Sequence, residues 1–417
     1  MARDLRLFYL FRLLATSYLW VPIFVFFLAD RGMDWGEINI LGAIYCLVVI
    51  LVEIPTGAFA DRIGRRKSMM AGALAMVAAC LTAYWAHSFS TFIVAEVLGA
   101  VSMSLCSGAD SAYLFDLLDD NGRSNEYAHH EGRASAWHFA GQTMAFAAGG
   151  LLATIDLALP YLVTAGVSAA AFLVALFMKG ERAAITARRL KPAGVEAREY
   201  LHHMREALGD AWHNKALLWV IVYAAVVFAL LTATKHLYQP FLRSMGFGYA
   251  EIGFIFAGMY LVASFVAHMA NSLRRAYGED VLVWGVLGTL GGSFLLMNQV
   301  RSEWVMLLLL VQAVSMGLYS PLIKPLLNRE IPNSDRRATV LSIESIARRT
   351  LMIGVVFAPI AGFYTPSAAL YWCGGVGLGG FAILGLFARV APMRPRDAIP
   401  RAATAEETSF PPITPLD

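Results

Sequence analysis

The chain has 417 residues, of which 58% are hydrophobic and 15% are charged, and its formal net charge is +3. A soluble domain of average composition carries roughly 25% charged residues, so this composition excludes an ordinary soluble globular protein. Repeated apolar runs of about 20 residues, the length that crosses a bilayer as a helix, instead predict a polytopic membrane protein. The four cysteines lie singly in apolar segments, without the spacing of a metal site or a disulfide.

Twelve apolar windows follow in chain order, and we predict that each is a transmembrane helix. Lipid-embedded backbone must satisfy its own hydrogen bonds, and the windows are continuously apolar rather than alternating, so a β-barrel is excluded. The first window continues past Phe27 without a cleavage-like small-residue site, which favours a retained span over a signal peptide. The windows are 5–28, 37–60, 68–88, 91–117, 135–155, 159–179, 216–240, 250–271, 281–300, 303–327, 338–363 and 367–390.

The windows divide the chain into two halves joined by a polar linker. The predicted divisions are an N-terminal six-helix bundle over 1–179, a cytoplasmic linker over 180–215, a C-terminal six-helix bundle over 216–391 and a disordered cytoplasmic tail over 392–417. Apolar residues in the linker recur at steps of three and four, which predicts an amphipathic helix on the membrane surface. These apolar residues are Leu201, Met204, Leu208 and Trp212.

The positive charges predict the orientation. With the N-terminus inside the cell, most of the 33 Lys and Arg residues fall on cytoplasmic segments, whereas the opposite orientation would place them outside. We therefore expect both termini in the cytoplasm and the protein in a bacterial cytoplasmic membrane.

The two halves contain an internal repeat. The stretch "RGMDWGEINILGA" at 31–43 resembles "MGFGYAEIGFIFA" at 245–257, an offset of 214 residues. At the same offset, "GAFADRIGRRK" falls on "NSLRRAYGEDV", where Arg275 replaces Asp61. Two copies of one six-helix unit are typical of transporters whose site lies between the repeats.

The stretch "GAFADRIGRRK" at 57–67 places five charged residues between two apolar windows. It resembles the loop after the second helix of the major facilitator superfamily, Gly-x-x-x-Asp-Arg-x-Gly-Arg-Arg-Lys, at every fixed position. The resemblance extends over all of the chain except the tail. It implies an all-α membrane fold with 12 transmembrane helices in two pseudo-symmetric six-helix bundles, and a secondary transporter rather than an enzyme. Neither an HExxH motif nor a phosphate-binding loop is present in the sequence.

The resemblance also implies a conformational latch on the cytoplasmic side. Asp61 would face the N-terminus of the eleventh span near Ala338, and Arg65 would pair with Asp116 at the end of the fourth span. Because the second copy lacks the aspartate, this latch would be asymmetric. A simple positive-inside anchor is the alternative. The latch residues are Gly57, where a small residue permits close helix approach, Asp61, Arg62, Gly64, Arg65 and Asp116.

A second ion pair between the halves is predicted deeper in the membrane. Glu53 lies on roughly the same helix face as Asp61, about 12 Å away along the helix axis. It would reach the level of the acidic and basic residues of the eleventh span, with snorkelling of the basic residues as the alternative. The predicted partners are Arg348 or Arg349, with Glu344 pairing to Arg348 within its own helix.

Carboxyl groups inside the spans are candidates for proton coupling. Glu96 stands where many drug-antiporter members of the superfamily have an arginine, so their relay role cannot be transferred to it. It would carry the proton, bind a cation, or be hydrated near the outer surface. Asp110 is expected at the cytoplasmic opening, and Lys324 is expected to snorkel. The antiporter glycine pattern of the fifth span is met at Gly141 and Gly150 but not at its Gly-Pro.

The favoured interpretation is proton-coupled export of a small organic compound by alternating access. Uptake of a small nutrient is the first alternative, and a non-transporting membrane sensor is the second. We expect a small-molecule substrate, a proton gradient, a surrounding lipid bilayer and a monomer, and we expect no cofactor, metal or nucleic acid. The resemblance places the pathway between spans one, four, seven and ten, with candidate residues Arg12, Tyr18, Trp20, Tyr113, Tyr223, Gln312 and Tyr319.

Overall fold

The computed structural model describes residues 1–180, 209, 213–300, 304–331, 337–363 and 365–389. All regular secondary structure in these ranges is helical, which confirms the predicted all-α fold. The linker helix predicted around 201–212 lies almost entirely outside the described residues, and so does the predicted disordered tail.

The N-terminal half contains eight α-helices and one short 3₁₀ helix, Ser124–Glu126, in the described residues. Two of the predicted spans in this half are interrupted, the first over 15–23 and the fourth at Ser107 and Gly108. Gly108 has a φ of 79°, which glycine adopts without the strain of a side chain. The helices are α1 Ala2–Leu14, α2 Phe24–Asp30, α3 Trp35–Ile63, α4 Arg65–Trp85, α5 Phe89–Cys106, α6 Ala109–Asp119, α7 Tyr127–Ala153 and α8 Leu159–Phe177.

The C-terminal half is described from residue 213 to residue 389, apart from the gaps given above. A π-helical segment, Met352–Phe357, interrupts the eleventh predicted span. The helices are α9 Lys215–Ser244, α10 Tyr249–Tyr277, α11 Glu279–Met297, α12 Val305–Glu330, α13 Arg337–Leu351, α14 Ala358–Ala361 and α15 Pro366–Ala388.

Within the described ranges, nine helices are long and apolar enough to cross a membrane. Three of the twelve predicted windows have no such helix. The windows 5–28 and 338–363 are each divided into shorter helical pieces, and α7 is long but has polar and charged residues over its first half. The number of spans therefore stays a prediction.

The internal repeat is visible in the backbone. Gly64 separates α3 from α4 with a φ of 102°, and Gly278 separates α10 from α11 with a φ of 86°. Gly32 and Gly246, which precede α3 and α10, also have positive φ values of 84° and 94°. Each half thus repeats one unit of glycine, long helix, glycine and helix. We call the end of the bundle with Gly64 and Gly278 the loop end, and the end with Gly32 and Gly246 the opposite end.

The two halves pack tightly against each other at the opposite end. The Gln239 side chain of α9 donates to the Val21 carbonyl at 3.0 Å and accepts from the Val25 backbone N–H at 2.9 Å. Helices α7 and α10 approach so closely that a Cβ atom on Gly150 would lie 2.7 Å from the Cα atom of Gly253. A side chain at either position would collide with the other helix, so this backbone contact depends on glycine at both positions.

Candidate functional site

A cavity of about 380 Å³ separates the halves toward the loop end. Its wall is formed by α3 and the end of α5 from the N-terminal half, and by α9, α12 and α13 from the C-terminal half. Both repeats therefore contribute to one site. The charged residues that line it are Glu53, Lys324, Glu344, Arg348 and Arg349.

One ion pair joins the two halves across this cavity. Nη1 of Arg349 on α13 lies 3.5 Å from Oε2 of Glu53 on α3. The Ser345 hydroxyl donates to both oxygens of the Glu53 carboxylate, at 3.0 and 3.1 Å, and Arg349 donates to the Ser345 carbonyl at 3.2 Å. The predicted partner of Glu53 is thus Arg349 rather than Arg348. Its role in transport stays a prediction.

Arg348 is held within the C-terminal half. Its Nε atom lies 2.9 Å from Oε1 of Glu344, but the N–H is not aligned for a hydrogen bond, so the contact is electrostatic. Nη1 of Arg348 lies 3.5 Å from the Tyr319 hydroxyl, and the guanidinium lies 4.8 Å from the centre of the Phe228 ring. An arginine over an aromatic face is stabilised by the ring quadrupole. These contacts fix Arg348 along the cavity wall.

Lys324 differs from the two arginines because it forms no ion pair with a described residue, although it is near enough to Glu344 to interact with it electrostatically. It lines the cavity and is exposed, and none of the residues that the structure describes forms an ion pair or a hydrogen bond with its ammonium group. The two carboxylates of the wall, Glu53 and Glu344, each have an arginine partner. The wall therefore has one excess positive charge.

Glu96 lies on α5, away from the lining of this cavity. It is close enough to interact electrostatically with Tyr45 of α3, Cys80 of α4 and Tyr161 of α8. No described residue forms a hydrogen bond or an ion pair with its carboxyl group. A proton carrier needs a carboxyl group without a fixed partner among packed helices, and Glu96 has this arrangement. Its role in proton coupling stays a prediction.

At the loop end, the structure brings two of the predicted latch residues together. Nη1 of Arg65, the first residue of α4, lies 3.2 Å from Oδ2 of Asp116 on α6. The Asp61 side chain lies outside the described residues. Gly57 is exposed, and a Cβ atom placed on it would meet nothing within 4 Å, so the expected close helix approach is absent from the described surroundings of this residue. Arg62 occupies the last turn of α3.

Two further site candidates, Arg12 and Asp110, pair with each other inside the N-terminal half. Arg12 Nη2 also lies 3.8 Å from Oε1 of Glu131, which accepts a hydrogen bond from the Ser111 hydroxyl at 3.2 Å. Arg12 was a candidate for binding the substrate, but the structure gives it two carboxylate neighbours within its own half. Asp110 likewise has a fixed cationic partner.

The same half has a second polar cluster at the start of α7, in which Tyr9 and His130 are buried and Glu126, outside the predicted spans, is half-buried. The Tyr9 hydroxyl and Nδ1 of His130 are 2.5 Å apart, and Nε2 of His130 lies 3.4 Å from Glu126. Hydrogen bonds from Arg123 hold the pKa of Glu126 below its ordinary value. This cluster ties α1 to α7 at the loop end.

Of the aromatic and amide candidates, only Tyr319 is among the described residues that line the cavity. Tyr18 and Trp20 stack on each other in the break between α1 and α2, with ring centres 6.0 Å apart. Trp20 also stacks on Tyr161 of α8, at 5.6 Å.

The structure does not bring the other three, Tyr113, Tyr223 and Gln312, to the cavity. Each is at most 3% exposed and forms a hydrogen bond within its own half, although the side-chain oxygen of Gln312 is buried without a described partner. The Tyr113 hydroxyl donates to a backbone carbonyl at 3.1 Å, the Tyr223 hydroxyl to another at 2.7 Å, and the Gln312 amide to Ser293 at 2.7 Å.

Sequence reasoning did not find Phe228 or Ser345, because an apolar or small residue inside a span gives no signal of its own.

Comparison with known proteins agrees with this architecture. The family model of the Major Facilitator Superfamily matches residues 7–279, more than half of the chain, and the chain belongs to this superfamily. An uncharacterised MFS-type transporter of Bacillus subtilis, YxaM, is 21% identical over 357 residues, which cover 83% of this chain and 86% of that protein. The class C tetracycline resistance protein of Escherichia coli is 25% identical over 354 residues, which cover 80% of this chain and 81% of that protein.

A solved structure of the nucleoside transporter NupG has the same fold. Its TM-score is 0.77 at 11% identity, and the match covers 92% of this chain and 98% of that one. Membership of the superfamily makes this chain an integral, multi-pass membrane transporter rather than an enzyme.

Proposed function

We propose that this transporter exports a small organic solute by alternating access and that a proton gradient drives the export. The observation that carries the proposal is the cavity between the two repeats, which lies toward the loop end while Gln239 and the close contact of Gly150 with Gly253 join the halves at the opposite end. Such a site between two rocking bundles is the general design of secondary transporters. The likeness to a tetracycline resistance protein favours export of a drug-like compound or metabolite.

The distribution of basic residues supports a cytoplasmic location of the loop end. Arg65, Arg66 and Lys67 follow α3, and Arg274 and Arg275 end α10 at the equivalent place. Positive residues near membrane-spanning helices favour the cytoplasmic side. With this orientation the cavity faces the cytoplasm, which is the side from which an exporter takes up its substrate.

The transport cycle would exchange the contacts at the two ends. Opening the opposite end requires the two Gln239 hydrogen bonds to Val21 and Val25 to break, each worth about 1 kcal/mol in net terms. Closing the loop end would bring the α5–α6 side of the cavity to α12. The Glu53–Arg349 pair lies between these ends and would act as part of the pivot, with the Arg65–Asp116 contact holding α4 and α6 in place.

Glu96 is the proposed proton carrier. Without a cationic partner among the described residues, its ionised form depends on access to water, because an unpaired charge in an apolar environment is costly. A change of access during the cycle would let Glu96 take up a proton in one state and release it in the other. The isolated position of the carboxyl group supports this assignment.

The proposal is tested by flux into proteoliposomes across a compound panel, with and without a pH gradient. We expect a pH gradient to drive accumulation of at least one panel compound against its concentration gradient, with the proton and the solute moving in opposite directions. In Glu96→Gln this driven transport is lost, whereas exchange of labelled for unlabelled solute continues. Asp280→Asn, which makes the same chemical change at an exposed position of α11, is the control and retains driven transport.

Transport that is unaffected by the gradient, or that is unchanged in Glu96→Gln, contradicts the proton coupling. Movement of proton and solute in the same direction would favour uptake instead.

A further inference from the structure

We propose that Lys324 binds an anionic group of the substrate, so that this transporter selects organic anions with an apolar or aromatic body. The inference rests on the proposed function only in taking the cavity between the halves as the substrate site. It adds a chemical class of substrate and a specific residue that recognises it.

The cavity wall has three positive and two negative side chains. Glu53 is neutralised by Arg349 at 3.5 Å, and Glu344 by Arg348 at 2.9 Å. Lys324 has no ion-pair partner among the described residues, and its longer-range attraction to Glu344 is shared with Arg348, which lies closer. Electrostatic interactions are stronger in such a partly enclosed space than in bulk water, so the excess positive charge favours an anion over a neutral or cationic ligand.

Lys324 lies next to aromatic and aliphatic residues of α12 that also line the cavity. Tyr319, Ile323 and Leu327 line the same wall at steps of four residues, one helical turn apart, and Lys324 follows Ile323 directly. Phe228 of α9 lines the cavity beside them, with its ring centre 6.3 Å from that of Tyr319. A bound anion at Lys324 would thus have an aromatic and aliphatic surface beside it for the rest of the molecule.

The size and the donors of the site fit a small ligand. A volume of about 380 Å³ lies within the range of sites for small molecules, roughly 300 to 1,000 Å³. The ammonium group of a lysine is a compact charge with three donors, which suits a carboxylate without demanding one orientation. A cationic ligand would have to separate Glu53 or Glu344 from its arginine, so cations are disfavoured.

Three matched probes test the inference by equilibrium binding to the full-length protein in nanodiscs, without any pH gradient. The probes are 2-naphthoate, the neutral 2-naphthamide and the cationic 2-naphthylmethylammonium, and isothermal titration calorimetry measures the binding of each. We expect wild-type protein to bind the carboxylate about tenfold or more tightly than the amide, the scale of a hydrogen bond to a charged group, and the cation weakest.

Substitutions at Lys324 then locate the preference. Lys324→Gln should weaken binding of the carboxylate about tenfold and leave the amide unchanged, while Lys324→Arg should retain most of the preference. Lys215→Gln removes an exposed cation at the start of α9 and serves as the control that keeps wild-type binding. The ratio of carboxylate affinities of wild-type protein and Lys324→Gln should also be the same in phosphatidylcholine and in phosphatidylglycerol nanodiscs, because the negative surface potential of the second lipid acts on both proteins equally.

Four results would overturn the inference. One is equal affinity of wild-type protein for all three probes, which needs no variant to observe. Another is an equal loss of carboxylate and amide binding in Lys324→Gln. A third is the disappearance, in phosphatidylglycerol, of the affinity difference between wild-type protein and Lys324→Gln, which would assign Lys324 to lipid headgroups. The last is binding of none of the probes while other panel compounds are transported. Failure of proton-driven flux with the charge preference intact would instead remove only the proposed coupling.

Discussion

At the scale of single residues, the main distinction is between charges that have partners and charges that do not. Glu53 is bound by both Arg349 and Ser345, whereas Glu96 and Lys324 have no ion pair or hydrogen bond within the described part of the chain. Removing one member of a paired set leaves an uncompensated charge and is costly. Unpaired groups are free to bind a proton or a ligand, so the two kinds of residue predict different mutant behaviour.

The Glu53–Arg349 pair predicts energetic coupling between the halves. We expect Glu53→Gln and Arg349→Gln each to lower the unfolding temperature in detergent, and the double variant to be less damaged than the sum by about 1 kcal/mol. Arg348→Gln is the matched control and should couple to Glu53 less strongly, because the ion-pair partner of Arg348 is Glu344 and its interaction with Glu53 is only long-range. Double-mutant cycles measure the coupling energy of Glu53 with Arg349 and of Glu53 with Arg348. Additive effects for Glu53 with Arg349 would contradict the pairing.

The sequence predicted which residue types would meet, but not always which helix face they occupy. Spacing along α3 and α13 was sufficient to expect Glu53 near Arg348 or Arg349, because charged side chains within membrane-spanning helices usually pair with one another. Tyr223 and Gln312 were expected in the cavity, yet each side chain is directed into its own half, where it donates a hydrogen bond to a neighbour. Continuous hydrophobicity hides the difference between the inward and the outward face of a buried helix.

At the scale of secondary structure, the breaks in the helices position the site. The interruption after α5 places Ser107 in the cavity wall and turns α6 so that Asp110 reaches Arg12. Hydropathy windows predicted one continuous helix over 91–117, because a single glycine scarcely changes the mean hydropathy. The left-handed backbone of Gly108 is visible only in the structure.

Gly108 therefore predicts a stability effect that depends on backbone conformation alone. A Cβ atom at Gly108 would meet nothing within 4 Å, but its φ of 79° disfavours any other residue, so Gly108→Ala should cost about 1 to 2 kcal/mol. Gly166 on α8 also has open space around it but lies in ordinary helix, and Gly166→Ala should be neutral or stabilising. Thermal unfolding in detergent compares the two, and equal effects would contradict the explanation.

At the scale of the whole molecule, two copies of one unit have diverged at the loop end. Gly64 and Gly278 keep the same backbone turn, but Arg275 occupies the position equivalent to Asp61. The repeated helices were predictable from the offset between the two sequence stretches. The closed opposite end was not, because it depends on Gln239 and on a glycine contact between helices that are far apart in sequence.

This asymmetry predicts unequal effects of two substitutions. Asp61→Asn should reduce the rate of transport far more than Arg275→Gln, because only the first copy has the complete latch motif. Initial rates in proteoliposomes, normalised to the amount of reconstituted protein, make the comparison. Similar losses at both positions would contradict an asymmetric latch.

The central claim is that the two halves rock about the cavity between them. Distances between spin labels test it most directly, with one pair at the loop end, Asp119→Cys and Tyr277→Cys, and one pair at the opposite end, Ile155→Cys and Trp304→Cys, all exposed in the structure. We predict two populations whose proportions change with pH, such that the loop-end distance shortens in the population in which the opposite-end distance lengthens. A single population for both pairs, unchanged across pH and on addition of a transported compound, would contradict the account.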